Sequence, residues 1–149
     1  MTKDIDITLG VDFDDVERVA HAMPIDIFEI LGSDYKKFAR ETRVLPVKDR
    51  QTGIRIDLIF SFSPFEQLAI QRANRVTIGS SQVSYASRED MIVFKMVAGR
   101  PRDIEDVRSI LRKNHVFDQQ YVHHWLTEFE TIIERKLVQE LGRLSDENS

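Results

Sequence analysis

Apolar and polar positions alternate from the start of the chain. In Asp4-Ile5-Asp6-Ile7-Thr8-Leu9 the apolar side chains fall on every second position, which predicts a strand with one apolar and one acidic face. Gly10 ends it, and Asp12, Asp14 or Asp15 supplies a cap for a helix reaching about Met23. The stretch Pro24 to Leu31 is apolar but too short to assign by period. A helix is expected from Ser33 to about Arg40, capped by Ser33 or Asp34. Strands follow at Arg43 to Val47 and Ile54 to Phe62, joined by Lys48 to Gly53, which has hairpin chemistry. Ser63 and Pro64 open a helix running to about Ala73. Val76 to Ile78 and Val83 to Tyr85 read as a short hairpin around Gly79.

From Ser87 onward the period becomes helical. One helix runs from Ser87 to near Gly99, with Asp90 three residues after the cap, and another starts at Pro101 with Ile104, Val107, Ile110 and Leu111 on one stripe. A last, long helix is expected from about Asp118 to Leu141, followed by a polar, frayed tail from Ser145 to Ser149. The expected class is α/β (α+β): a single domain, 1–149, with a small mixed β-sheet and flanking helices in 1–85 and a helical part in 86–149.

Composition narrows the function. With a net charge of -4 the chain lacks the cationic excess that a broad, non-specific grip on nucleic acid requires. A small nucleotide carried with its metal, or a locally docked RNA end, stays compatible with that balance. The absence of cysteine excludes disulfides and thiolate metal sites. No signal-peptide pattern opens the chain and no run of about 18 apolar residues exists, so a cytoplasmic protein with no membrane span is expected.

Asp4 and Asp6 project from one face of their strand. Two neighbouring carboxylates repel unless a cation or a shared proton relieves them, and magnesium favours such oxygen ligands. Asp57 is the single acid inside Ile54-Arg55-Ile56-Asp57-Leu58-Ile59-Phe60, where an apolar residue is the rule. If the two strands are neighbours, Asp4, Asp6 and Asp57 form a three-carboxylate site for two metal ions suited to in-line displacement at phosphorus. The plainer alternative is a solvated Asp-x-Asp strand end.

Lys95 is the one charge in Met91 to Ala98 and either snorkels out or meets an acid or a phosphate. Asp103 and Asp106, three apart, flank the apolar stripe of the next helix. Two readings stand: an ion pair that fixes consecutive helices, or Lys95 and Arg100 facing nucleotide phosphates with the aspartates holding them.

Thr2 to Leu9, Arg55-Ile56-Asp57-Leu58-Ile59 and Ala86 to Asp106 together resemble the nucleotidyltransferase superfamily related to polymerase beta, across roughly residues 2 to 112. The resemblance is greatest to bacterial minimal nucleotidyltransferases and to the nucleotidyltransferase toxins of abortive-infection systems. It implies an α/β fold that moves a nucleotidyl group from a nucleoside triphosphate to a hydroxyl acceptor, RNA, protein or small molecule, using Mg2+ or Mn2+. By that resemblance Asp4, Asp6 and Asp57 are the metal ligands, and Asp57 helps to activate the acceptor. Lys95, Arg100, Asp103 and Asp106 match a later motif for nucleotide handling, with Asp57 and Lys95 as the catalytic candidates.

The family pattern places a helix with Gly-Gly or Gly-Ser before the Asp-x-Asp strand, and here Met1, Thr2 and Lys3 precede Asp4. A start assigned too late, or a shortened relative, is the expectation, together with a binding-only alternative to catalysis. An exposed apolar patch favouring a homo-oligomer is expected as well, and the toxin branch implies an antitoxin partner. His115, His123 and His124 are not expected to form a metal site, because adjacent helical side chains diverge by about 100°. Trp125 and Phe129 read as core, and Lys36, Lys37, Arg40 and Arg43 as a solvated basic face.

Overall fold

The computed structural model describes residues 4–61, 63–113 and 116–147. Phe62 at the end of an expected strand, His115, and the tail residues Asn148 and Ser149 lie outside the described residues, as do Thr2 and Lys3. The chain divides into two compact units, Met1–Gln71 and Arg72–Ser149.

The first unit holds a four-stranded mixed sheet. Strand β1 (Asp4–Thr8) runs parallel to β4 (Arg55–Ile59), which pairs antiparallel with β3 (Val44–Asp49), which in turn pairs with β2 (Phe28–Ile30). The β3–β4 hairpin closes as its sequence predicts. The Asp49 carboxylate accepts from the backbone N–H groups of Gln51 (2.9 Å) and Thr52 (2.6 Å), and Gly53 takes φ +72°. Period-two alternation then sorts the side chains by face. Leu45, Val47 and Leu58 point to one side, where with Phe60 they form a buried core beneath Val16 and Ala20 of α1 (Val16–Ala22) and Ala39 of α2 (Tyr35–Thr42). Asp34 caps α2, accepting from the N–H of Lys37 at 3.1 Å. At the β1 end of this apolar face Ile5 and Ile7 stay 46% and 42% exposed, so the core stops short of the edge strand. Helix α3 (Pro64–Gln71) is opened by a reciprocal box in which Ser63 and Glu66 satisfy each other. The ambiguous Pro24 to Leu31 stretch resolves into β2, whose three residues are too few to carry a period of their own.

In the second unit β5 (Asn74–Ile78) and β6 (Ser81–Tyr85) form a separate two-stranded sheet. Helices α4 (Arg88–Ala98), α5 (Pro101–Lys113), α6 (Gln119–Glu130) and α7 (Leu137–Asp146) follow, and Ile92, Val93, Met96, Val107, Leu111, Val122, Leu126, Leu137, Leu141 and Leu144 are their buried apolar positions. The expected long helix from Asp118 to Leu141 is in fact two. Thr131 bonds back to the carbonyl of Glu128 (2.6 Å), and the Glu130 carboxylate accepts from the N–H of Val138 (2.9 Å), so side chains close one helix and open the next. The break releases Ile132, 80% exposed, from the apolar stripe that suggested continuity. It also frees Arg135 to donate to the carbonyls of Met96 (3.0 Å) and Val97 (3.4 Å) at the end of α4.

Asp90 is fully buried. Its N–H donates to the Ser87 hydroxyl (3.1 Å), and its carboxylate accepts from that hydroxyl and from Tyr121 (2.6 Å) while Arg72 stands 3.6 Å away. The Arg72 guanidinium also lies 3.9 Å over the Tyr121 ring. Burial first, and then the neighbouring Asp90, push the Tyr121 phenol above its ordinary pKa, so the group stays a donor. Tyr121→Phe removes that bond from a buried carboxylate and is expected to cost about 1–2 kcal/mol in urea unfolding. Among the described residues no helix is long and apolar enough to cross a membrane.

Candidate active site

Strand register decides which polar side chains meet. Asp6 of β1 lies opposite Asp57 of β4, and Asp4 lies opposite Arg55. Neighbouring strands lie about 4.8 Å apart, and paired positions project to the same side of the sheet. Asp4, Asp6, Arg55 and Asp57 therefore share the face opposite the Leu45–Leu58 core. The antiparallel pairing of β3 adds Lys48 beside Arg55 and Pro46 beside Asp57. Asp57 sits on an inner strand and is 18% exposed, whereas Asp4 and Asp6 lie exposed on the edge strand.

The cation bonded to Asp57 is Arg55. Its Nε donates to Asp57 Oδ1 at 2.8 Å. That hydrogen bond holds the guanidinium pKa above its ordinary value against the opposing effect of partial burial, and the charges of Asp57, Asp4 and Asp6 add to it. Among the described residues, no three His, Cys, Asp or Glu side chains are already gathered into a metal-holding group. The carboxylate chemistry and the backbone spacing nonetheless suit a divalent cation: all three acids share a face, and two of them sit at one register position. Sequence reasoning missed Arg55, although its place two residues before Asp57 on a strand puts it on the same face.

In the second unit, α4 and α5 carry the other constellation. Lys95 Nζ donates to Asp103 Oδ1 (3.2 Å) and to Asp106 Oδ2 (2.8 Å). Asp103 also accepts from Arg100, at its Nε (2.7 Å) and backbone N–H (3.2 Å). Partial burial acts to lower the Lys95 pKa, but the hydrogen bonds it donates to Asp106 and Asp103 outweigh that and keep the ammonium above its ordinary value. The Arg100 hydrogen bond, with help from Lys95, holds the Asp103 carboxyl below the usual range despite burial. Gly99 makes the turn possible with φ +63°, ending α4 so that Arg100 can fold back on Asp103. The expected grouping of Lys95, Arg100, Asp103 and Asp106 is thus present, and its geometry is that of a clasp between consecutive helices.

His123 and His124 are both exposed neighbours on α6, and among the described residues neither enters a metal-holding group. Trp125 and Phe129 are part-buried on the same helix. Arg43 lies 4.0 Å over the Phe13 ring, and Lys36 pairs with Glu17 at 2.7 Å, so that basic run is partly spent on local contacts.

A family model described as nucleotidyl transferase of unknown function (DUF2204) matches residues 2–146. The chain belongs to this family. The match spans β1 to α7, so both the carboxylate face and the α4–α5 clasp lie within the nucleotidyl transferase region. No curated protein matches the chain.

Proposed function

We propose that this nucleotidyl transferase moves a nucleotidyl group from a nucleoside triphosphate to a hydroxyl acceptor at the acidic face of the sheet. In this reading Asp4, Asp6 and Asp57 hold the divalent cations, Mg2+ or Mn2+. The observation that supports it is the parallel register setting Asp57 beside Asp6, with Asp4 on the same face. Bound there, the metal would supply positive charge to the phosphates and acidify the attacking hydroxyl. The residues of the chain do the rest. Asp57, half-enclosed on an inner strand, orients the acceptor oxygen, while the exposed Asp4 and Asp6 take the triphosphate side. In the second unit Lys95 is a positioning residue that ties α4 to α5, and Arg100 is held on Asp103.

The test is Mg2+-dependent transfer of labelled nucleotide to mixed RNA and protein acceptors, run beside Asp57→Ala. Equal background in both proteins removes the catalytic reading. A second reading, a relative that binds nucleotide or a partner without turnover, is favoured by the Arg55–Asp57 ion pair, which already answers the charge of the third carboxylate. Calorimetric nucleotide binding without transfer would select it.

Arg55 gives this site its own prediction. Arg55→Gln leaves Asp57 beside Asp6 with less compensation, and is expected to cost up to about 1 kcal/mol in EDTA, discounted for the exposure of the arginine. Mg2+ is then expected to raise the melting temperature more in the variant than in the wild type. Thermal unfolding with and without Mg2+ measures both effects.

A further inference from the structure

The β5–β6 hairpin is held by its own ladder. Its strands pair antiparallel across a turn at Gly79 and Ser80, and among the described residues none from Asn74 to Tyr85 hydrogen-bonds outside the hairpin. Two strands alone are marginal in water and gain independent stability from further strands or a packed face. Register sorts this ribbon into a polar face, Arg75, Thr77, Gln82 and Ser84, and an apolar face, Val76, Ile78, Val83 and Tyr85. On the apolar face Val76, Ile78 and Tyr85 are 46%, 54% and 49% exposed.

The two edges differ. β5 carries Arg75, the one charge of the hairpin, whereas β6 reads Ser81-Gln82-Val83-Ser84-Tyr85, with no charge and no proline to turn another strand away. Ile78 and Ser81 flank the turn as a pair, so alternation points the backbone N–H and C=O of Gln82 and Ser84 away from β5. A copy of β6 laid antiparallel about Val83 sets Gln82 against the partner's Ser84, Ser81 against the partner's Tyr85, and Val83 against the partner's Val83. That register satisfies the outward backbone groups, opposes no like charges and merges the apolar faces of both hairpins. Nucleic acid would meet a single cation here, and a charged strand would find no counterpart along β6.

We infer that β6 pairs with β6 of a second copy, joining two hairpins into one antiparallel sheet about a two-fold axis at Val83. The strand is short beside the roughly 20–30 residues that each side of a standard interface supplies, so a Kd of about 1 μM or weaker is expected. The surface belongs to the second unit and is independent of the nucleotidyl-transfer reading.

Sedimentation equilibrium of the full chain over a concentration series is expected to show a reversible monomer–dimer equilibrium. Ser84→Pro removes an outward N–H while the ladder to β5 keeps its bonds. It is expected to weaken association about tenfold or more with an unchanged circular dichroism spectrum. Because the chain has no cysteine, one introduced thiol reports the axis directly. Residues facing each other in a non-hydrogen-bonded antiparallel pair have Cα atoms about 4.5 Å apart, within disulfide reach. Val83→Cys is therefore expected to oxidise to a disulfide-linked dimer about tenfold or more faster than Val76→Cys, which shares the apolar face but lies on the other strand. A chain that stays monomeric throughout the series overturns the inference. Association that Ser84→Pro leaves unchanged, or oxidation of Val76→Cys as fast as that of Val83→Cys, overturns it as well.

Discussion

Asp57→Asn is expected to lower Mg2+-dependent nucleotidyl transfer by about two to three orders of magnitude while leaving the protein folded. Asparagine keeps the shape of the side chain on its inner strand but removes the charge that a divalent cation and an acceptor hydroxyl both require. Folding is spared because Arg55, relieved of its nearest partner, still lies in the field of Asp4 and Asp6. Initial rates with labelled nucleoside triphosphate, read beside the melting temperature in EDTA, separate the two effects. Asp4→Asn is expected to cost less activity, since Asp4 sits two register positions away from the Asp6–Asp57 pair, opposite Arg55.

Lys95→Met is expected to act in the opposite sense, through stability. Asp103 is 3% exposed at its side chain, and Lys95 is one of its two cationic partners. Deleting a partner of a buried carboxylate leaves a desolvated charge, and with Arg100 still in place the cost is roughly 2–3 kcal/mol, below the full penalty for orphaning such a charge. The pH dependence follows from the two shifts. Asp103 titrates below its ordinary value, so its stabilisation is present above the unfolded carboxylate range, about pH 4, and is lost as pH falls through its folded value. Lys95 titrates above its ordinary value, so its share is complete below about pH 10 and is lost as pH rises through its folded value. The stability difference between wild type and Lys95→Met should accordingly be flat near neutrality and shrink at both extremes. Urea unfolding at pH 3, 7 and 11 checks it.

Much of this arrangement was legible before any coordinates. Strict alternation around Asp4 and Asp6 announced a strand with one acidic face, because a period of two leaves no choice of side once the apolar residues are buried, and Asp57 stood out as the single acid in an apolar strand. Whether β1 and β4 would be neighbours was not legible. Parallel pairing is non-local, and no short turn between them declares it. The clasp of Lys95 with Asp103 and Asp106 was visible as one of two readings, since a lone cation in an apolar helix must find a partner. What escaped was of another kind. The break at Thr131 depends on side chains bonding to backbone ends, and the apolar residues Ile132 and Ile133 kept the helical period running through it. The contact of Arg72 with Asp90 and Tyr121 joins residues 18 and 31 positions apart, for which no local pattern exists. The division after Gln71 places the β5–β6 hairpin with the helices, although strand propensity alone grouped it with the sheet.

The most direct measurement is Mn2+ titration followed by electron paramagnetic resonance, on wild type and on Asp6→Asn and Asp57→Asn. The expected result is specific Mn2+ binding by the wild type, weakened about tenfold or more in each variant, since one ion would draw on acids from both strands. Binding that Asp57→Asn leaves unchanged, while Asp6→Asn alone reduces it, would contradict a cation shared between β1 and β4.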